Sequence, residues 1–288
     1  MTEVLEPVAM VAPHKEPDDP KCPFCPQTDS EEHYKTYGGK QNKGGKLGDN
    51  INDPAGFGTS IETDARPKDG QRGKDNRLNQ FFTETEPEDT RAGVEGGSLG
   101  WTFQAHHAIP GNQCLAGHDV EQFILGSKRK IKFDTGYSVN NPQNGVWLPS
   151  VPEAGEWPGV GKPTESFPLA SQAMRDCKRQ FHLSGHDIPV DVDGLDPETD
   201  EIYVVRVTNF LAELHGILED WRVHCPNKTS DGKPLGNTLI HDALDSVSGH
   251  MINLLKFPPE RWTSFVSRYA RDFAIKARDP NVKISFEK

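Results

Sequence analysis

Apolar positions are spread unevenly along this chain, and from residue 201 onward they recur with helical spacing. In EIYVVRVTNFLAELHGILEDWRV, Val207, Phe210, Leu211, Leu214, Ile217, Leu218 and Trp221 follow an i, i+3, i+4, i+7 rhythm. That rhythm predicts a helix over 201–223 with one apolar stripe. NTLIHDALDSVSGHMINLLKF (237–257) predicts a second helix and PPERWTSFVSRYARDFAIKA (258–277) a third. Pro259 suits the third near its first turn, where a missing N–H costs nothing. Upstream, WTFQAHHAI (101–109) alternates weakly and predicts a short strand that carries two histidines to its end, closed by the Pro110-Gly111 turn. HDVEQFILGSKRK predicts a short helix ended by Gly126. GVWLP, after Asn144-Gly145, reads as a strand leaving a tight turn. A Pro/Gly loop fills 151–165, and SQAMRDCKRQFH has helical spacing that ends near His182 or Gly185.

Before residue 100 the rhythm is lost. Residues 1–20 are rich in Pro and acid, an arm or a disordered tail. Tyr37 to Gly97 is dominated by Gly, Asn, Asp, Lys and Thr, a stretch long enough that it must be functional, packed or disordered. The expectation is a chain in three parts: a loop-rich N-terminal region (1–99), a central domain (100–225) and a C-terminal helical extension (226–288) packed on it. The fold class expected is α+β in a mostly helical setting.

Composition changes this picture little. With 288 residues, 34% of them hydrophobic, the chain can bury one large core or two ordinary ones. The 27 Gly and 23 Pro agree with extensive loops. A net charge of -11 argues against non-specific coating of nucleic acid, but a local basic patch is enough to hold a few phosphates. The clearest such run is Lys128, Arg129 and Lys130 with Lys132, read either as a phosphate contact or as a solvated turn. No apolar run approaches the roughly 18 residues a membrane span needs. The opening MTEVLEPVAM has neither the basic segment nor the apolar core of a cleavable signal.

The candidate chemistry lies in histidine. Four of the eleven histidines form two tight clusters, His106-His107 and His182 with His186. Imidazole is the commonest metal ligand and the one side chain whose ordinary pKa lies between pH 5 and 8. Two clusters that converge would make a metal site with a general base beside it. Consecutive strand residues point to opposite faces, so His106 and His107 cannot both ligate one ion from a regular strand. His182 and His186 would share a face if helical, but Gly185 makes a helix end or turn equally acceptable.

The segments QAHHAIPGNQCL, NNPQNGVWLPS and RQFHLSGHD, in that order, resemble the AHH branch of the HNH/endonuclease VII superfamily. These are ββα-metal nucleases, often toxin domains in bacterial competition. The resemblance covers about residues 100–220 and implies a ββα-metal finger embedded in the helical domain, holding one divalent ion (Mg, Zn, Mn or Ni). By resemblance His106, His182 and His186 are ligands, His107 is the base that activates water, and Asn144 is the asparagine that holds the finger loop and helps orient the base. The spans from His107 to Asn144 and from Asn144 to His182 are longer than in the smallest such fingers. The resemblance further implies an antibacterial endonuclease acting on DNA, with RNA as the alternative substrate. It implies synthesis in a bacterial cytoplasm and delivery, as by type VI secretion, to the cytoplasm of a target cell. A cognate immunity protein and a secretion-apparatus or chaperone partner would accompany it. The contrasting expectation is a non-enzymatic, zinc-stabilised binding module.

The cysteines carry a separate signal. Cys22-Pro-Phe-Cys25 has the spacing of half a zinc knuckle, with His33, His224 and Cys225 as candidates to complete it. A buried thiol pair and a redox CxxC are the other readings. Cys114 and Cys177 read as small apolar core residues.

Overall fold

The computed structural model describes residues 22–25, 42–54, 101–125, 130–132, 135–150, 167–183, 186–228, 232–234, 239–256 and 258–282. Among them the protein is α+β. Five helices, α1 (Gly44–Asn52), α2 (Phe167–Cys177), α3 (Tyr203–His224), α4 (Leu239–Leu254) and α5 (Arg268–Arg278), accompany one two-stranded antiparallel sheet of β1 (Thr102–His107) and β2 (Gly145–Ser150). No helix of the described residues is long and apolar enough to cross a membrane.

The described residues fall into two interleaved units. One takes those of Met1–Thr63, His107–Val146 and Val204–Ile252; the other takes those of Asp64–His106, Trp147–Tyr203 and Asn253–Lys288.

In the first unit the predicted helical stripe of α3 is the buried one: Val207, Phe210, Leu211, Leu214, Leu218 and Trp221 are all inside, with Ile217 half-buried. α4 packs against it, the Phe210 and His250 rings lying 4.8 Å apart edge-on. Residues 22–25 are anchored by Phe24, which is fully buried and stacked at a tilt 5.8 Å from Phe123. α1 lies in the stretch expected to lack elements. Its apolar positions are few, but Leu47 and Ile51, one turn apart, are both buried. They explain Gly145 as well. A Cβ there would come within 2.5 Å of Ile51 Cδ1 and 2.9 Å of Leu47 Cδ1, so any larger residue would have to push these two buried side chains aside.

In the second unit Gln180 organises the loops. Fully buried, its amide donates to Ser264 O (2.8 Å) and Leu254 O (3.2 Å) and accepts from Val266 N (3.1 Å). α2 ends at Cys177, followed by Lys178 in a left-handed conformation (φ 55°), and the chain then turns extended. The helical spacing of SQAMRDCKRQFH therefore fails at its C-terminal end: Arg179 bridges to Lys256 and His182 to Ser150. The third predicted helix is likewise shortened. Pro259–Arg261 is a single 3-10 turn, and α5 begins only at Arg268, where the Ser267 hydroxyl accepts from Ala270 N (3.2 Å) as the N-cap. Between them Trp262 Nε1 donates to Lys256 O (2.6 Å) and Ser264 Oγ to Glu201 O (2.8 Å), contacts that hold this stretch out of a helix. The short helix expected after His118 is a 3-10 turn, Asp119–Phe123.

Candidate metal centre

β1 delivers His106 and the extended segment after α2 delivers His182. The His182 backbone N–H donates to Pro149 O (2.7 Å), which fixes that segment beside β2. His186 lies four residues on, and neither His182 nor His186 is helical, so the pair does not share a helix face. The three rings converge: His106 lies 5.0 Å from His182 and 4.9 Å from His186, centroid to centroid and edge-on. One nitrogen from each lies within 4.8 Å of the others.

The hydrogen bonds around these rings set their tautomers. Gln104 sits two residues before His106 on β1, and its Oε1 is 3.1 Å from His182 Nδ1 and receives the Ser150 hydroxyl at 3.1 Å. A carbonyl oxygen only accepts, so His182 Nδ1 carries the proton and Nε2 presents its lone pair. That Nε2 faces His186 Nε2 at 3.3 Å. Two nitrogens on a tetrahedral zinc, each bonded at about 2.0–2.1 Å, sit about 3.3–3.4 Å apart. The residues thus fit a divalent cation held by three imidazoles, with Gln104 orienting one of them as outer partners of metal-bound histidine do. Tyr203, at the start of α3, places its hydroxyl 3.1 Å from His106 Nε2, with its ring 5.5 Å from that of His186. His106 is almost fully buried, while His182 and His186 are half-buried.

His107 belongs to the other unit and has a different environment. Its Nε2 lies 2.9 Å from Asn140 Oδ1. The Lys43 backbone N–H, which can only donate, also points to that oxygen (3.1 Å), so the Asn140 amide orientation is fixed. His107 Nε2 is therefore the protonated nitrogen and Nδ1 holds the lone pair. Burial pushes its pKa below the ordinary histidine value, partly opposed by the Asn140 bond, so the ring is neutral at pH 7.

Asn144 holds backbone. Fully buried, its Oδ1 accepts from Ile109 N (2.7 Å) and Ser248 Oγ (2.9 Å), and its Nδ2 donates to Val139 O (2.8 Å) and Ile109 O (3.0 Å). Its own carbonyl accepts from Ala108 N (2.9 Å). It clamps the two residues that follow His107, and the side-chain partner of His107 is Asn140.

The basic run is only partly described. Lys130 Nζ pairs with Glu219 at 3.1 Å, Lys132 is exposed, and Lys128 and Arg129 lie outside the described residues. Cys22, Cys25 and Cys225 come together, all buried. His224 is not among them: its side chain is exposed, with Nδ1 2.8 Å from Asp220 O and 3.2 Å from Asp220 Oδ1. His33 lies outside the described residues.

Sequence reasoning passed over Gln104, Asn140 and Tyr203. Gln104 had a signal, since i and i+2 share a strand face and place it on the face of His106. Asn140 and Tyr203 reach their partners across 33 and 97 residues with no periodicity to mark them.

Compared with models of known families, with characterised proteins and with solved structures, the chain matches none of them.

Proposed function

We propose that this protein is a metal-dependent endonuclease that hydrolyses phosphodiester bonds of DNA, with His106, His182 and His186 holding one divalent ion. The observation that carries the reading is the convergence of three imidazoles, two of them 3.3 Å apart nitrogen to nitrogen, with the tautomer of His182 set by Gln104. Three protein ligands leave a coordination position open, as hydrolytic centres do and closed structural sites do not. An all-histidine set favours borderline metals such as Zn or Ni in affinity. A cation held there supplies charge compensation for the phosphate and the leaving oxygen. His107, neutral and with its lone pair on Nδ1, has the protonation state of a general base, the role the AHH resemblance gives it. Among the described residues of the basic run, Lys132 is exposed and Lys130 is paired with Glu219. The resemblance also makes the enzyme an antibacterial effector, delivered into rival cells and neutralised in the producer by an immunity protein.

The test is cleavage of plasmid DNA and of RNA by purified protein, with and without chelator, beside metal titration of three variants. His107→Ala should retain metal and lose about two to four orders of magnitude in rate. His106→Ala and His182→Ala should lose both metal and activity. Cleavage of RNA alone would reassign the substrate. Metal binding without cleavage of either would leave a zinc-stabilised binding module in its place.

A further inference from the structure

We propose a second metal site in this protein, built from the thiolates of Cys22, Cys25 and Cys225 and selective for a thiophilic divalent ion such as zinc, which staples residues 22–25 to the C-terminal end of α3. The site stands apart from the histidine chemistry and is structural.

Its first support is convergence. Cys22 and Cys25 are separated from Cys225 by 200 residues or more, yet the three Sγ atoms lie within 4.8 Å of one another, with Cys25 Sγ 3.9 Å from Cys225 Sγ. Cys225 follows the last residue of α3, and its N–H still donates to Trp221 O (2.8 Å), so the helix end sets its place. The second support is the local turn. The Cys25 backbone N–H donates to Cys22 O (3.2 Å), and the Phe24 N–H points to Cys22 Sγ (3.4 Å). This is how a CxxC turn presents two sulfurs to one point while a backbone donor offsets charge on the first. The third is a side-chain donor: Asn227 Nδ2 lies 3.1 Å from Cys25 Sγ. Amide donors aimed at sulfur favour thiolates, which bind metal, over thiols, which do not.

Burial acts in the opposite sense. It pushes the Cys22 and Cys225 thiols up. A bound dication reverses that preference, because it deprotonates a coordinating thiol outright. A buried, packed cluster with donors aimed at its sulfurs is matched to a metal and poorly matched to redox chemistry, which needs an accessible thiolate. A soft three-sulfur set selects zinc over magnesium or calcium. As a closed structural site it takes its fourth ligand from a further side chain; His224, turned to Asp220, does not supply it here.

Cobalt substitution of the purified full-length protein tests this. Thiolate ligation gives a sulfur-to-cobalt charge-transfer band in the near ultraviolet, which histidine ligation does not give. The wild type should show that band, and Cys225→Ser should weaken it, lose about one zinc equivalent per chain and unfold at lower temperature. His182→Ala should keep the band, so failure of the histidine centre and failure of this one are distinguishable. If Cys225→Ser fails to fold, thiol titration of the native wild type still decides: three thiols that react only after a strong chelator is added support the site. Absence of the band, or a Cys25–Cys225 disulfide in metal-free protein purified without oxidant, overturns it.

Discussion

At the scale of single residues, the candidate histidines and the backbone beside them are held by amides. Asn140 fixes the tautomer of His107, Gln104 that of His182, and Asn144 holds the backbone that leaves β1. Asn140→Ala removes the acceptor on which His107 Nε2 rests, and either nitrogen can then carry the proton. The expected result is a loss of about 10- to 100-fold in cleavage rate with metal content unchanged, the usual size for a group that orients a reacting imidazole. Asn140→Asp keeps an acceptor oxygen at that place and should restore most of the rate. Equal rates for wild type and Asn140→Ala would remove Asn140 from the site. The histidines were legible in the sequence because few residue types ligate metals and these four cluster. Their amide partners were not, since Asn and Gln are common in turns and nothing local distinguishes the few that reach a ring.

At the scale of elements, legibility followed periodicity. α3 and α4 were readable because a core-facing stripe repeats over many turns. α1 was missed because Gly44, Gly45 and Gly48 weaken its intrinsic propensity; the burial of Leu47 and Ile51 against the start of β2 overrides it. The segment before α5 was over-read because its apolar spacing is real, but Trp262 and Ser264 spend their polar groups on distant carbonyls. α3 also carries a charge device. Glu219 takes a hydrogen bond from Arg222 one turn along and another from Lys130, and these hold its carboxyl down at about 2, below the ordinary 4.5. A depressed carboxylate pKa contributes stability that is present above the unfolded value and is lost as pH falls through the folded one. The Glu219 side chain is 29% exposed, so screening keeps the effect near 1 kcal/mol or less, about what surface pairs contribute. Glu219→Gln should therefore lower the denaturant midpoint slightly at pH 7, and the gap from wild type should close as pH drops from about 4.5 towards 2. A gap that widened on acidification would contradict this sign.

At the scale of the whole molecule, the units are not consecutive blocks of the chain. A nuclease domain at 100–225 followed by a helical extension is the natural reading of the sequence, because motifs and helices occupy consecutive blocks. In the structure each unit is assembled from three separated stretches, and residues beyond 225 supply parts of both cores. In the first unit, Ser248 of α4 donates to Asn144 Oδ1, and the Phe210 ring of α3 packs on His250. In the second, the buried amide of Gln180 is satisfied by Leu254, Ser264 and Val266, and Arg175 of α2 lies over the Phe273 ring of α5 at 5.7 Å. Removing 226–288 would take away the hydrogen-bond partners of Gln180 and the His250 ring packed on Phe210, and uncovering a large apolar side chain costs about 1.5–3 kcal/mol. A few such losses are comparable with the roughly 5–15 kcal/mol that typically holds a domain folded. The fragment 100–225, which contains all four candidate histidines, should therefore fail to fold. It should show no cooperative thermal transition, rapid proteolysis and no saturable metal binding, where the full chain shows a transition and binds. A compact 100–225 fragment that bound metal as tightly as the full chain would mean that the histidine centre is self-sufficient and that the C-terminal helices only cover it.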